Sequence, residues 1–225
     1  MDLRTIVGIG GFPNDVMLDY VFALAPGRRV LVDTTASPQS DGDWLADWNA
    51  DVTRLTFYPW PPANLRELAL GHDAIFVCGG NTANMLAVWR VHGFDRILRE
   101  AWEQGVVLFG SSAGMICWFE AGVSDSFGPQ LEGMRDGLGF LPGSACPHYD
   151  GEERRRPVYR QLVGEGLPAG YAVEDSVGIF FQETAFVEAV TEIEGRRAYR
   201  LEVVDGQVTE TPILARSLGM PAPVQ

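Results

Sequence analysis

Cysteines, long apolar segments and basic residues are scarce in this chain, and each scarcity excludes a class of protein. Only three of the 225 residues are cysteines (Cys78, Cys117 and Cys146), at wide spacing that matches neither a disulfide framework nor a zinc motif. Reduced, buried thiols are the simpler interpretation, and they favour a cytoplasmic protein. The apolar runs 74–78 and 106–109 are far shorter than the roughly 20 residues that cross a bilayer. The N-terminus shows no signal-peptide pattern, so no membrane anchor is expected.

The 17 basic residues are outnumbered by 30 acidic ones, which gives a formal net charge of −13. Such a surface repels the phosphates of nucleic acids and of anionic lipids, so we expect neither nucleic acid nor a membrane as partner. A solvated acidic surface that favours solubility requires no partner. An anionic substrate, in contrast, would require a local cationic pocket that acts against the field of the whole protein.

Short apolar segments rich in β-branched residues alternate with longer amphipathic segments, which is typical of βαβ units and a mostly parallel sheet. Residues 120–147 are rich in glycine and proline and are predicted to be mainly loop. The last strands, with turns at 194–195 and 205–206, indicate an antiparallel meander. The predicted strands are 5–9, 29–34, 52–58, 74–78, 106–110, 171–181, 186–193 and 199–204. The predicted helices are 14–25, 43–49, 65–70, 82–92, 94–104, 113–119 and 153–165.

These elements predict an α/β fold, a three-layer, doubly wound and mostly parallel sheet with antiparallel C-terminal strands. The sequence contains neither an internal repeat nor a linker, so we predict one domain over residues 1–225. Trp44, Trp48 and Trp60 in the first third could form an interface in a homodimer. Packing in the core is the commoner fate of such residues.

Residues 110–114, Gly-Ser-Ser-Ala-Gly, follow a predicted strand and precede a predicted helix, the context of a nucleophile elbow. The small residues permit a sharp turn, and the helix N-terminus that follows can stabilise an anion. Ser112 has glycine at both two-residue offsets, whereas its competitor Ser111 does not. The alternative without chemistry is a βα turn with a capping serine.

A serine hydroxyl requires a nearby base, and the chain has three histidines. His72 precedes a predicted central strand and therefore lies at the wrong end of the sheet. His92 ends a predicted helix, where capping is the usual role. His148 lies at the end of a strand-like segment before a polar loop, so it is the best candidate for the base.

Residues 79–82, Gly-Gly-Asn-Thr, end another central strand and open a helix. Glycine lets the main-chain amide at this position approach an oxyanion closely. The amide of Ala113, the residue after the nucleophile, would be the second donor. A βα turn capped by Asn81 or Thr82 is the simpler alternative. Neither this segment nor residues 8–11 completes a dinucleotide or Walker pattern. The scattered histidines predict no metal site, and acyl transfer through Ser112 requires no cofactor.

Residues 79–82, 110–114 and 147–149 occur in the order and approximate spacing of the peptidase E family, which the chain resembles from about residue 6 to residue 186. Members are cytoplasmic serine peptidases, the aspartyl dipeptidases. They are related to cyanophycinases and have a glutaminase-like, flavodoxin-like α/β fold. The resemblance implies Ser112 as nucleophile, His148 as base, and the amides of Gly80 and Ala113 as oxyanion hole.

The resemblance also implies a third catalytic residue and a substrate-binding arginine. The family's carboxylate before a late strand corresponds to Glu174, and an aspartate soon after the elbow helix corresponds to Asp125. We favour Glu174 as the acid that orients His148, with Asp125 in a supporting or substrate-side role. An arginine among Arg154, Arg155 and Arg156, together with Asn81, is expected to bind the substrate, although the arginines could equally form a solvated helix face.

The leading functional hypothesis is therefore a serine dipeptidase that hydrolyses Asp-X dipeptides. The second hypothesis is a cyanophycinase-like peptidase, or another serine hydrolase such as an esterase, on the same scaffold. The esterase is disfavoured because His148 precedes Glu174, the reverse of the usual order. The third hypothesis is a non-catalytic member of the superfamily that binds a small molecule or regulates another protein. Retention of both Ser112 and His148 argues against it.

Overall fold

The computed structural model describes residues 3–40 and 42–219 and builds them around one sheet of 13 strands. A short 3-10 helix, Asp43–Asp47, accompanies six α-helices in this part of the chain. The strands are β1 (Thr5–Ile9), β2 (Arg29–Asp33), β3 (Asp51–Leu55), β4 (Ala74–Val77), β5 (Val107–Ser111), β6 (Phe119–Ser124), β7 (Glu132–Met134), β8 (Leu141–Cys146), β9 (Gly170–Val173), β10 (Val177–Gln182), β11 (Ala185–Thr191), β12 (Arg197–Val204) and β13 (Gln207–Ser217). The helices are α1 (Asp15–Leu24), α2 (Leu65–Leu70), α3 (Thr82–His92), α4 (Phe94–Glu103), α5 (Ala113–Ile116) and α6 (Arg155–Gly164).

The strand order is β3-β2-β4-β5-β1-β10-β11-β13-β12-β9-β8-β6-β7. Among the described residues, seven neighbouring pairs are parallel and five are antiparallel. The predicted α/β fold with a mostly parallel sheet is therefore confirmed. The C-terminal strands β12 and β13 pair antiparallel, as predicted, but β13 also pairs parallel with β11, so the end of the chain is not a simple meander.

Alternate residues of the parallel strands enter two separate apolar clusters, one on each face of the sheet. In β4, Ile75 and Val77 belong to the first cluster, and Ala74 and Phe76 belong to the second. Successive side chains of a strand point to opposite faces, so both faces of this part of the sheet are buried. Helices α3 and α4 pack in the first cluster and α1 in the second, which produces the three predicted layers.

Two predictions near the elbow are wrong. The helix predicted over 113–119 ends at Ile116, because the carbonyl of Cys117 accepts its hydrogen bond from the amide of Leu138 and the chain then enters β6. The loop predicted over 120–147 contains most of β6 and all of β7 and β8. Strand β8 is held between β6 and β9, and this pairing with distant segments overrides the glycine and proline content.

Two further differences lie in the last third of the chain. The strand predicted over 171–181 is two strands, because β9 pairs with β8 and β12 whereas β10 pairs with β1 and β11. Residues 174–176 form the break between them, where Ser176 has a φ of 66°. Strand β13 was not predicted.

The tryptophans considered for an interface have different surroundings. Trp48 is buried in the second apolar cluster, and the half-buried Trp44 packs against it, with ring centroids 5.6 Å apart. Trp60 is 77% exposed. Only Trp60 among these three is left on the open surface, and a homodimer stays a prediction. The part of the chain described here has no helix of the length and apolar character that spanning a bilayer requires.

Candidate active site

Ser112 makes a tight turn between β5 and α5. Strand β5 ends at Ser111 and α5 begins at Ala113, so a single residue connects them. The φ of Ser112 is 55° and its ψ is −111°, a combination that residues with a side chain avoid for steric reasons. The Ser112 amide donates to the carbonyl of Ile9 at 3.2 Å, which ties the turn to β1. This strand–turn–helix geometry is that of a nucleophile elbow.

The two serines of the turn differ in accessibility. Ser111 is 2% exposed, whereas Ser112 is half-buried and lines two cavities. A nucleophile must reach its substrate, so Ser112 is the candidate. Gly114 allows the turn to pack closely, since a Cβ atom there would lie 2.0 Å from the carbonyl oxygen of Val77 at the end of β4.

His148 lies two residues after β8, also at a positive φ of 55°. Its Nδ1 lies 2.7 Å from Oδ1 of Asp175. Strands β8 and β9 are parallel, with Cys146 opposite Ala172, so the residues that follow them meet at one edge of the sheet. If Nδ1 carries the proton and donates it to Asp175, Nε2 is left as an acceptor, the state that a general base requires.

No hydrogen bond joins His148 to the Ser112 hydroxyl in the described part of the chain, but both side chains line the same cavity. Catalytic hydrogen bonds are often long without substrate and shorten when it binds. The two residues therefore share one cavity, and the candidate base has a carboxylate partner of its own.

The carboxylate that contacts His148 is that of Asp175, not that of the predicted Glu174. The Glu174 carboxylate accepts from the amide of Arg197 at 3.0 Å and from the hydroxyl of Tyr199 at 2.8 Å, so it points toward β12. Adjacent residues of an extended chain point to opposite sides, which sends the next carboxylate toward the imidazole. The acidic pair at 174–175 was the sequence signal, but it did not indicate which member faces His148.

Asp175 is itself held by a residue that sequence analysis missed. Its amide donates to Oδ1 of Asp150 at 2.9 Å, and the Asp150 carboxylate forms an ion pair with Arg196. The amide of Tyr149 also donates to the carbonyl of Val173 at 3.1 Å. These contacts fasten the loop after β8 to the break after β9, so the relative position of His148 and its acid is set by the fold.

Two main-chain amides beside Ser112 have no acceptor. Within residues 3–40 and 42–219, neither the amide of Gly80 nor that of Ala113 donates a hydrogen bond. Gly80 has a φ of 136°, and a Cβ atom there would lie 2.2 Å from the carbonyl oxygen of Ala36, so only glycine fits. A pair of free amides next to a nucleophile is the arrangement that oxyanion holes use.

The side chain of Asn81 is already engaged in the fold. Its Oδ1 accepts from the amide of Asn84 at 2.9 Å, which caps α3, and its Nδ2 donates to the carbonyl of Ser126 at 2.9 Å. The structure thus gives Asn81 a capping and tethering contact, and substrate binding by this residue stays a prediction.

One of the two cavities beside Ser112 has polar walls. It has a volume of about 310 Å³ and contains two carboxylates, from Asp125 and Glu152, and one guanidinium, from Arg155. Burial favours a higher pKa for Glu152, but the hydrogen bond and positive charge of Arg155 outweigh it, so the pKa of Glu152 lies below its ordinary value. Glu152 therefore stays ionised as the partner of Arg155.

The three consecutive arginines point to different places. Arg155 is buried, with Nε donating to Glu152 at 2.7 Å and Nη1 donating to the carbonyl of Val123 at 2.8 Å. Arg154 is exposed and donates to the carbonyl of Pro129. Arg156 pairs with Glu210 and lies over the ring of Tyr149, away from the cavity. Only one of the three predicted arginines thus reaches the cavity beside Ser112.

The other two histidines lie outside this site. His72 contacts the carbonyl of Leu68 through Nδ1 at 2.6 Å, and His92 packs against Phe57 at the end of α3. Among residues whose placement is described, no group of three or more His, Cys, Asp and Glu side chains could hold a metal ion.

Comparisons with known proteins find a matching peptidase family and a similar sequence. The model of peptidase family S51 matches residues 33–189, which is more than half of the chain. A protein of Bacillus subtilis (strain 168), named uncharacterized peptidase YgaJ, is 39% identical over 226 residues that cover 95% of this chain and 97% of that protein.

Two solved structures have the same fold. A protein from Listeria monocytogenes EGD-e with the provisional name peptidase E superimposes with a TM-score of 0.65 at 20% identity, covering 84% of this chain and 98% of that one. A peptidase from an acI-B1 Actinobacterium has a TM-score of 0.65 at 13% identity, with 95% of each chain covered.

Proposed function

Because the chain belongs to peptidase family S51, we propose that this peptidase hydrolyses N-terminal aspartyl dipeptides through an acyl-enzyme on Ser112. His148 is the general base, and no cofactor is required for the reaction. The observation that supports this substrate class most directly is the buried Arg155 in the polar cavity beside the nucleophile.

Arg155 suits an aspartyl side chain in charge and in geometry. Nε and Nη1 are engaged by protein acceptors, whereas Nη2 has no acceptor within residues 3–40 and 42–219. A guanidinium held rigidly by two partners binds a carboxylate with little further loss of entropy. The cavity holds two carboxylates against this one guanidinium, so the attraction for an acidic substrate comes from direct hydrogen bonding to Nη2 and not from a net positive field.

The carboxylate of Asp125 gives the same cavity a site for a cation. Asp125 is exposed and none of residues 3–40 and 42–219 hydrogen-bonds to its carboxylate, although it shares the cavity with Arg155. An N-terminal aspartyl residue carries an ammonium and a carboxylate close together. We assign the ammonium to Asp125 and the carboxylate to Arg155. This assignment predicts that the substrate requires a free N-terminus.

The reaction then follows from the positions of the remaining groups. Ser112 Oγ attacks the carbonyl carbon of the aspartyl residue while Nε2 of His148 accepts the hydroxyl proton. The amides of Gly80 and Ala113 stabilise the oxyanion. His148 returns the proton to the departing amine, and a water molecule attacks the acyl-enzyme by the same route. Asp175 holds the imidazole tautomer and stabilises the imidazolium.

The test compares Arg155→Met with Arg154→Met, a matched change at an exposed arginine. We expect kcat/KM for Asp-Leu to fall by about 10² or more in Arg155→Met, since removing one partner of a buried charge pair costs this much. The preference for Asp-Leu over Asn-Leu should disappear in the same variant. Arg154→Met should behave like the parent protein.

Arg155→Lys keeps the charge and provides a control for folding, together with thermal unfolding of each variant. If Arg155→Met folds and retains the preference for Asp-Leu over Asn-Leu, the assignment of Arg155 is incorrect. If the parent protein labels with a fluorophosphonate at Ser112 but cleaves neither Asp-Leu nor an Asp-nitroanilide, the aspartyl substrate class is refuted while the serine nucleophile stands.

A further inference from the structure

Ser112 also lines a second cavity, whose walls are largely apolar. It has a volume of about 430 Å³, and its walls include Phe12, Trp44, Cys78 and Gly79 together with His148. This volume exceeds what the reacting atoms require. Ser112 and His148 are only two of the residues that line this cavity, and the proposed reaction gives its aromatic residues no role.

The position of His148 shows which part of a substrate would enter this cavity. His148 lines the apolar cavity but not the polar one, which contains Arg155. The imidazole must hand its proton to the departing amine, so that amine has to lie within hydrogen-bond reach of it. With the aspartyl side chain at Arg155, the residue that carries the departing amine therefore extends into the apolar cavity.

The aromatic wall is held by contacts within the fold. The rings of Phe12 and Trp44 meet edge to face, with centroids 5.0 Å apart. Trp44 Nε1 donates to Ser40 Oγ at 3.2 Å, and its ring packs against Trp48 and Phe76. Phe12 is nonetheless 54% exposed. More than half of the surface of Phe12 is thus open to solvent in a residue that lines the cavity, where a ligand side chain would cover it.

The two cavities also differ in the charge of the side chains that line them. No arginine side chain of the described residues lines the apolar cavity, and its polar groups are serine, glutamine and the His148 ring. Burial raises the pKa of the Cys78 thiol, so this group stays neutral and adds to the apolar surface. Binding here therefore depends on the apolar area that a side chain buries.

We propose that the cavity bounded by Phe12 and Trp44 binds a large apolar or aromatic side chain on the residue whose amine departs. This inference rests on the proposed aspartyl peptidase function and narrows its substrates to Asp-X in which X is phenylalanine, leucine or a similar residue. Asp-Ala and Asp-Ser leave the cavity largely unfilled, and Asp-Asp places a carboxylate against an apolar wall.

The first test measures kcat/KM for Asp-Phe, Asp-Leu and Asp-Ala with the parent protein and with Trp44→Ala, Phe12→Ser and Trp60→Ala. The parent should prefer Asp-Phe over Asp-Ala by roughly tenfold or more, the discrimination that apolar pockets achieve. Trp44→Ala and Phe12→Ser should reduce this ratio to less than about threefold. Trp60→Ala, at a tryptophan that does not line the cavity, should leave it unchanged.

Phe12→Ser keeps the test decisive if Trp44→Ala does not fold, because Phe12 is half exposed and carries less of the core. A parent ratio near one, or a ratio that neither variant changes, overturns the proposal.

A second test separates this inference from the function on which it rests. Phenylalaninamide and alaninamide are titrated into Ser112→Ala, with binding followed by NMR or calorimetry. Weaker binding of phenylalaninamide after Phe12→Ser supports the cavity even if no Asp-X peptide is hydrolysed, in which case only the proposed function fails. Equal binding of the two amides to Ser112→Ala overturns the inference, whatever the peptidase assay shows.

Discussion

The contact between His148 and Asp175 yields the sharpest prediction about the chemistry of the site. Asp175→Asn preserves the size of the side chain and removes its charge. The amide can also donate a hydrogen bond to Nδ1, which moves the imidazole proton to Nε2 and leaves no base facing Ser112. In serine proteases the corresponding change lowers kcat by about 10⁴, or about 5 kcal/mol at 1.36 kcal/mol per factor of ten.

The surroundings of Asp175 reduce this magnitude. Its side chain is 39% exposed, so water screens part of its charge, unlike that of a fully buried triad carboxylate. We therefore expect the activity of Asp175→Asn to fall by between about 10² and 10⁴. Glu174→Gln is the matched control, since its carboxylate contacts Arg197 and Tyr199 instead of the imidazole.

The assay measures the second-order rate of Ser112 labelling by a fluorophosphonate, which depends on the activated nucleophile and not on the identity of the peptide substrate. Hydrolysis of Asp-Leu provides the second readout, and thermal unfolding shows whether each variant folds. Glu174→Gln should remain within about tenfold of the parent. A folded Asp175→Asn that labels as fast as the parent, beside a Glu174→Gln that has lost activity, would refute the assignment.

Two further changes test the oxyanion site and the buried carboxyl group of Asp33. Gly80→Ala should lower kcat by about 10²–10³ with a smaller change in KM, as loss of an oxyanion donor does, because the new Cβ collides with the carbonyl of Ala36; an unchanged kcat contradicts this role. Burial raises the pKa of Asp33 to about 7, far above the value near 3.9 of an unfolded chain. The folded protein therefore binds the extra proton between these values, so its stability falls as pH rises through them, by at most about 4 kcal/mol. The stability of Asp33→Asn relative to the parent should increase between about pH 4 and about pH 7 in urea unfolding, and parallel pH profiles would exclude an ionising Asp33.

The sequence predicted the elements whose structure is determined by local patterns. Helix α3 was predicted with its observed bounds, because Asn81 caps it and Gly93 ends it in the left-handed conformation. Ser112 was accessible to prediction for the same reason, since a strand, small residues and a helix follow one another within a short segment.

The site was harder to predict where distant strands determine it. His148 meets Asp175 because β8 pairs with β9, whereas the composition of residues 120–147 predicted mainly loop, with only a strand-like end before His148. The selection of Asp175 over Glu174 depends on the residue at which β9 ends. The selection of Arg155 among three arginines depends likewise on how α6 is rotated against the sheet. A shift of one residue in the end of β9 or in the rotation of α6 would bring a different side chain to the site. No residue type in the sequence marks either position.

The positive φ angles of Ser112 and His148 lower the stability of the fold at the two residues on which the proposed chemistry depends. Backbone conformations of this kind cost on the order of 1–3 kcal/mol each when a side chain is present, and glycine would largely remove that cost. The most direct way to stabilise this fold at either position is therefore also the most direct way to inactivate it. Stability alone would favour glycine at both positions, so a stabilised Ser112→Gly or His148→Gly variant is expected to lose activity.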